Sequence, residues 1–321
     1  MKFKRHGTFY IRRGWLPKGM NQVVAEPTLF SNKDINPNDV LGLGSNMVSA
    51  LRYWLQATGL TAEERKGNNT SQTLTSLGDI IYNNDRFIEE IGTLALLHYK
   101  LASATKIVRE ADKGEIEFEK KILENTWATA WYYLFNEFEM NEFSSKDFCG
   151  TFKDSLSRML NDKEMPADGS IDSDFACILN TYLPNERVID PEDNKECPLC
   201  ELGLIQRQGK IKEKDEYGKV RDVFVYRKRE AKGIPTKILA AMIADRHPGE
   251  QIKIQSLLNE KNSIGKVFNL DSVSLSEYLD KMEKDNLIKI TRTAGLDVIN
   301  FTQKDYVFED YLRSYYRGIQ N

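Results

Sequence analysis

Six cations crowd the first 25 residues: Lys2, Lys4, Arg5, Arg12, Arg13 and Lys18, with no acid among them. Arginine and lysine neutralise phosphates and release counterions, which gives sequence-independent affinity for nucleic acid. Trp15, beside Arg12 and Arg13, adds a ring on which a base can stack. The competing reading is a solvated strand whose aromatics, Phe3, Phe9, Tyr10 and Trp15, belong to the core. Phe9-Tyr10-Ile11 reads as a short strand, and continuing that alternation sends Arg12 and Arg13 to opposite sides, so one of the two would face DNA. His6 stands among these bases. It is a candidate general acid or base for phosphodiester cleavage, or a metal ligand, or a hydrogen-bonded structural histidine.

Leu41-Gly-Leu-Gly-Ser-Asn46 opens a helix. Backbone N–H groups there, with Ser45 and Asn46 at the entry and Arg52 nearly two turns on, can hold a phosphate; a plain helix cap is the alternative. No Gly-Lys-Ser/Thr follows and no βαβ unit precedes, so nucleotide and flavin cofactors are not expected. Cys197-Pro-Leu-Cys200 has the spacing of half a zinc site, but Cys149 and Cys177 are far away in sequence, which leaves two ordinary thiols as the simpler reading. Asp112 with Glu119-Lys-Lys121 mimics a nuclease carboxylate pattern, yet it falls on a helical run. No Ser/His/Asp or Cys/His arrangement emerges, so the catalytic residues are left open, with His6 the only candidate. A divalent ion, Mg²⁺ or Mn²⁺, is the cofactor that DNA cleavage would call for.

These residues need a scaffold, and the chain can supply one. Of its 321 residues 40% are hydrophobic, enough for a packed core and too many for wholesale disorder. No apolar run is long enough to span a bilayer and no secretory signal opens the chain, so a cytoplasmic protein with no membrane partner is expected. The net charge of −3 conceals an asymmetry: residues 110–200 carry 21 acids against 9 bases, opposite in sign to the N-terminus. Helices are predicted over 86–109, 115–135, 145–162 and 172–182, and Lys66–Gln72 reads as a polar loop. A short helix at Asn36–Asp39, a glycine turn and the helix capped by Ser45 or Asn46 make a helix-turn-helix-like unit. Gln206–Glu230 reads as a charged hairpin; between Arg207 and Lys232 there are ten bases and five acids. Whether it contacts phosphates or is an ordinary solvated ribbon is open. The last 90 residues read helix, helix, helix, hairpin, the order of a winged helix. Its third helix carries Asp271, Glu277, Asp280, Glu283 and Asp285 against Lys281 and Lys284, so this tail should bind protein or pack on the first domain. The fold class expected is therefore mainly α with small β elements: a helical domain over 1–185 that carries the candidate DNA contacts, a connector and charged hairpin over 186–232, and a winged-helix-like domain over 233–321.

Two segments resemble a known family. His6-Gly-Thr-Phe-Tyr-Ile-Arg-Arg-Gly-Trp-Leu-Pro-Lys-Gly19 and Leu41-Gly-Leu-Gly-Ser-Asn-Met-Val-Ser-Ala-Leu-Arg-Tyr-Trp-Leu55 are similar to the bacterial domain of unknown function 4007 family. Glu201-Leu-Gly-Leu-Ile205, Gly265-Lys-Val-Phe268 and Ala294-Gly-Leu296 are later signposts of the same resemblance. It implies a part in DNA phosphorothioation, in which sulfur replaces a non-bridging phosphate oxygen as an anti-phage defence. One family member, the B protein of the single-strand (Ssp) system, resembles a DNA-nicking partner of a cysteine desulfurase, an ATPase and a sulfur-transfer protein. The resemblance thus implies DNA as substrate, those proteins as partners, and nicking as the activity of a DNA endonuclease; a homodimer is also admitted. The rival expectation is a non-catalytic adaptor that binds DNA and positions a separate modification enzyme. On either reading Arg12, Arg13, Lys18, Ser45, Asn46 and Arg52 are the residues expected to touch DNA.

Overall fold

The computed structural model describes residues 1–66, 69–105, 114–167, 169–184, 196–214, 218–247, 251–293 and 296–319. Residues 9–11 form no strand. The first regular element is α1 (Trp15–Ala25), which occupies the stretch read as a turn at 17–19. Pro17 lies in its first turns, where a missing N–H costs little, and Leu16, Met20 and Val23 recur at helical spacing. α2 (Pro37–Leu41) is capped by Asn36 and stops at Gly42, whose φ of 60° suits a residue without a Cβ. α3 (Ser45–Ala57) follows and buries Val48, Leu51, Trp54 and Leu55.

β1 (Thr61–Lys66) and β2 (Asn69–Leu74) pair antiparallel where a polar loop was expected. Their sequences show no apolar alternation, so pattern reading had nothing to detect. The hairpin is secured by Gln72, whose amide donates to Thr61 Oγ1 at 2.6 Å and whose backbone N–H donates to Pro27 at 2.7 Å. α4 (Ser76–Asn84) is capped by Thr75. Its Gly78 lies against the Leu60 carbonyl so closely that a Cβ would sit 1.9 Å from the oxygen.

The helix expected over 86–109 begins later, as α5 (Ile91–Ala102). The Asp85 carboxylate accepts from the backbone of Glu89 and Glu90 at 3.0 and 3.1 Å and ties up the segment before it. The run over 115–135 splits into α6 (Glu115–Glu124) and α7 (Thr129–Asn136), because Thr126 bridges to Ala104 between them. β3 (Glu142–Ser144) enters α8 (Ser145–Ser157) through a Ser144/Asp147 capping box, and α9 (Ser170–Tyr182) follows. Pro198–Leu202 is a short 3-10 helix. The charged hairpin is present as β4 (Ile205–Lys214) and β5 (Val220–Lys228), and β3 adds to it to give the sheet order β3-β5-β4. Of the turn expected at Glu216-Tyr217-Gly218, the first two residues lie outside the described residues, and Gly218 has a φ of 77°.

The remaining elements are α10 (Thr236–Arg246), β6 (Ile252–Lys253), α11 (Ile254–Asn259), α12 (Ile264–Val267), α13 (Ser272–Lys284), β7 (Ile288–Thr293) and β8 (Leu296–Phe301), with sheet order β6-β8-β7. Last comes α14 (Phe308–Ile319), which the sequence reading missed. It turns Phe308, Tyr311, Leu312, Tyr315 and Tyr316 to the interior and packs on α10 and α4. The architecture is mainly α with small antiparallel sheets.

A contiguous apolar cluster runs from Ile11 to Tyr316. α5 is buried on nearly every side at its centre, and its His98 is a polar pin there. Nδ1 accepts from the Tyr182 hydroxyl of α9, and Nε2 donates to the Val267 carbonyl of α12, both at 2.7 Å. Burial lowers the pKa of this imidazole to about 4, so it is neutral at pH 7. Among the described residues no helix is long and apolar enough to cross a membrane.

Candidate nucleic-acid interface

The helix-entry residues singled out in the sequence meet at one place. Gly19 of α1 lies close to Leu51 and Leu55 of α3, so the two helices pack tightly. Lys18, on the outer side of α1, reaches across and donates to the Leu41 carbonyl at 3.1 Å, next to the Gly42–Gly44 turn. Asn38 of α2 donates to Ser45 Oγ at 2.7 Å. Ser45 and Asn46 are exposed as the first residues of α3. Neither caps the helix: Gly44 occupies the cap position and gives no side-chain cap bond. The expectation of a Ser45 or Asn46 cap is corrected accordingly. Gly44 offers no side-chain acceptor, and Ser45 Oγ is engaged by Asn38. An exposed helix N-terminus with an ammonium alongside is a physical recipe for holding a phosphate.

The other expected contacts are held elsewhere. Arg13 forms an ion pair with Glu201, and its backbone N–H donates to Glu196 at 3.0 Å, so it fastens the N-terminus to the 3-10 helix. The Glu201 hydrogen bond raises the guanidinium pKa further. Arg12 is half-buried, with its guanidinium 5.3 Å from the Trp15 ring and 6.0 Å from Tyr10. Arg52 pairs with Glu63 of β1 at 2.5 Å and lies 5.8 Å from the Phe30 ring. Lys2 sits 3.2 Å over the Trp127 ring, where burial lowers its pKa. Lys4 and Arg5 are exposed. The six N-terminal cations are therefore dispersed, two of the expected contact arginines face carboxylates, and Lys18 alone of the predicted cations stands beside the α3 entry.

His6 is 1% exposed. Its Nε2 lies 2.8 Å from Asp174 Oδ1, and Nδ1 accepts from Thr8 N–H at 3.1 Å, which assigns the proton to Nε2. Asp174 also accepts from Lys4 N–H at 2.8 Å. The imidazole stacks on Trp54 with rings 5.7 Å apart and meets the edge of Trp131 at 6.0 Å. Both ring nitrogens are thus spent on structure: Nε2 fastens the N-terminus to α9, and Nδ1 holds the turn at Thr8.

Cys197 is buried and burial pushes its thiol pKa upward; that of Cys200 is pushed up to about 12. Among the described residues no group of three His, Cys, Asp or Glu side chains is placed to hold a metal ion. Asp112 lies outside the described residues, and Glu119 is bonded to Lys261 at 3.0 Å.

Sequence reading identified the β4–β5 hairpin without resolving its role. In the structure Arg207 and Lys210 lie 4.6 and 4.7 Å from the Phe224 ring. It missed a half-buried polar network altogether: Tyr99 donates to Asp245 at 2.7 Å and accepts from Arg246 at 2.9 Å, with Lys100 3.6 Å from Asp245. The burial of Lys100 lowers its pKa. These residues come from α5 and α10, far apart in the chain, so no local spacing announced them.

Two solved structures are similar to the chain over its whole length. One is a magnesium ion-bound SspB crystal structure, with 26% identity and a TM-score of 0.77, covering 100% of this chain and 89% of that one. The other is an SspB crystal structure at 25% identity, with the same TM-score and coverage. The magnesium belongs to the first of these structures. No curated protein matches the chain. The family described as "Protein of unknown function (DUF4007)" matches residues 3–316, and the chain belongs to that family.

Proposed function

We propose that this protein is the DNA-binding component of a bacterial Ssp-type phosphorothioation system, acting beside an ATPase, a sulfur-transfer protein and a cysteine desulfurase. The observation that carries this reading is the end-to-end likeness to SspB. The contact geometry proposed for DNA is the α3 entry. There the backbone N–H groups at Ser45 and Asn46 take a phosphate, and Lys18 supplies charge. The order α10, β6, α11, α12, α13, β7, β8, in which α12 is a single short turn, supports a winged-helix reading of the C-terminal part, whose acidic α13 is suited to protein contact.

Nicking is the activity proposed for the system's B-type protein, and it prepares a backbone break for sulfur insertion. The adaptor reading has its own support: His6, the one named catalytic candidate, is spent on structure. One experiment separates the two. The full chain is incubated with supercoiled plasmid and Mg²⁺ or Mn²⁺, and with labelled duplex in gel shifts. Relaxed circles establish the nickase; a shift without relaxation establishes the adaptor. Failure to shift duplex at 50 mM salt refutes DNA binding. Lys18→Ala should lower duplex affinity and reduce the salt slope by about 0.9, the loss of one phosphate contact.

A further inference from the structure

The β4–β5 ribbon has two chemically different faces. Lys210, Ile211, Lys212, Glu213 and Lys214 alternate along β4, so the lysines share one side of the pleat. The antiparallel register places Phe224 opposite Lys210 and Asp222 opposite Lys212. Directly opposed residues share a face, so Phe224 stands in the lysine row. Glu213, Arg221 and Val223 lie against the cavity of about 670 Å³ beside α8, which Lys214 also borders. At the base of the cationic face, a shift of register between Arg207 and Gly209 brings Arg207 back over Phe224. The result is an aromatic ring, 37% exposed, with a guanidinium 4.6 Å and an ammonium 4.7 Å from its centre. From Arg207 to Lys214 the row extends about 24 Å at ~3.4 Å per residue. Among the described residues, β4 and β5 carry Arg207, Lys210, Lys212, Lys214, Arg221, Arg227 and Lys228 against the acids Glu213 and Asp222, and Arg227 also pairs with Glu142 of β3 at 3.7 Å.

We infer that this ribbon is a seat for an unpaired DNA strand, with Phe224 as the stacking platform and Arg207, Lys210 and Lys212 as phosphate contacts. The inference rests on the proposed DNA-binding reading and adds the kind of DNA and the element that takes it. A row of cations complements any nucleic-acid backbone. The ring is what selects single strands: bases in a duplex have both faces stacked, whereas an unpaired base can stack on a phenyl ring. Arg207 and Lys210 lie over the ring on rotatable stems, and they swing off it to phosphates as a base takes the ring face. The α3 entry holds duplex, and the ribbon holds a strand released from it.

The test measures fluorescence anisotropy of the full chain with labelled dT12 and with a labelled 12-base-pair duplex, across salt concentrations. Phe224→Ala should weaken dT12 binding about 5- to 150-fold and leave both the salt slope and duplex affinity unchanged. Phe224→Trp should retain dT12 affinity, which shows that the platform and not the fold was lost. Lys210→Ala with Lys212→Ala should lower the dT12 salt slope by about 1.4. Unaltered dT12 affinity in a folded Phe224→Ala protein would overturn the inference, as would an equal loss on duplex. If Lys18→Ala still weakens duplex while the ribbon variants are neutral, only the ribbon assignment falls. If the unmodified protein binds neither DNA, both readings fall together.

Discussion

Acidification offers a direct test of the packing logic through His98. The imidazole is fully buried, and its two bonds fix it as a neutral group that donates at Nε2 and accepts at Nδ1. Its folded pKa of about 4 lies below the ordinary value of 6.5. In the unfolded chain it protonates as pH falls through about 6.5, while the folded protein resists until about 4. Over that window the unfolded state binds the extra proton, so the stabilisation held above pH 6.5 is lost as pH falls towards 4. A gap of this size corresponds to about 3 kcal/mol. Other groups titrate in the same range, so the reading is a difference. Urea unfolding midpoints of the wild type and His98→Gln are measured at pH 7.5, 6.0 and 4.5. Glutamine offers a donor and an acceptor and has no titration there. It should be less stable at pH 7.5 through imperfect fit, and the deficit should shrink by 2 to 3 kcal/mol by pH 4.5. A deficit that stays constant with pH refutes the claim that a buried neutral imidazole joins α5, α9 and α12.

Three further outcomes follow from other contacts. Asp174→Ala strands the His6 and Lys4 donors in the interior and should cost about 3 kcal/mol by urea titration, with DNA affinity falling only as the folded fraction falls. Gly78→Ala forces a methyl into the Leu60 carbonyl and should cost about 3 kcal/mol or more, read as a lowered melting temperature. The Arg13–Glu201 pair is roughly a third to a half exposed, so a double-mutant cycle should give a coupling of only about 0.2–1 kcal/mol, shrinking with salt.

Helices with strong apolar periodicity were legible in the sequence. α3 follows the Ser45–Asn46 entry, α10 and α13 fill helix places in the C-terminal order, and the charged hairpin appears where it was expected. α1 was hidden by Pro17 and Gly19, which signal turns in isolation but here serve a first turn and a close helix contact. The β1–β2 hairpin was hidden because backbone pairing and one buried glutamine hold it, not an apolar face. At the candidate interface the clustering of cations was visible, but their partners were not. Glu201 lies 188 residues from Arg13, and no local rule connects them. The expected strand at 9–11 fails because Trp54 reaches the Phe9 carbonyl with its indole N–H at 2.8 Å and leaves that backbone no sheet to join.

The placement of α14 has a consequence for how the chain reaches this state. Tyr316 bonds Thr93 at 2.6 Å, and Tyr315 lies against Gly92 and bonds Glu90 at 3.2 Å, so residues more than 220 positions apart are stitched together. While a ribosome still covers residues 308–319, α4, α5 and α10 have an uncovered greasy flank. The first half can gather its helices during synthesis but cannot lock until the last dozen of these residues emerge. Nascent chains halted before Phe308 should therefore be the form that chaperones hold and proteases cut.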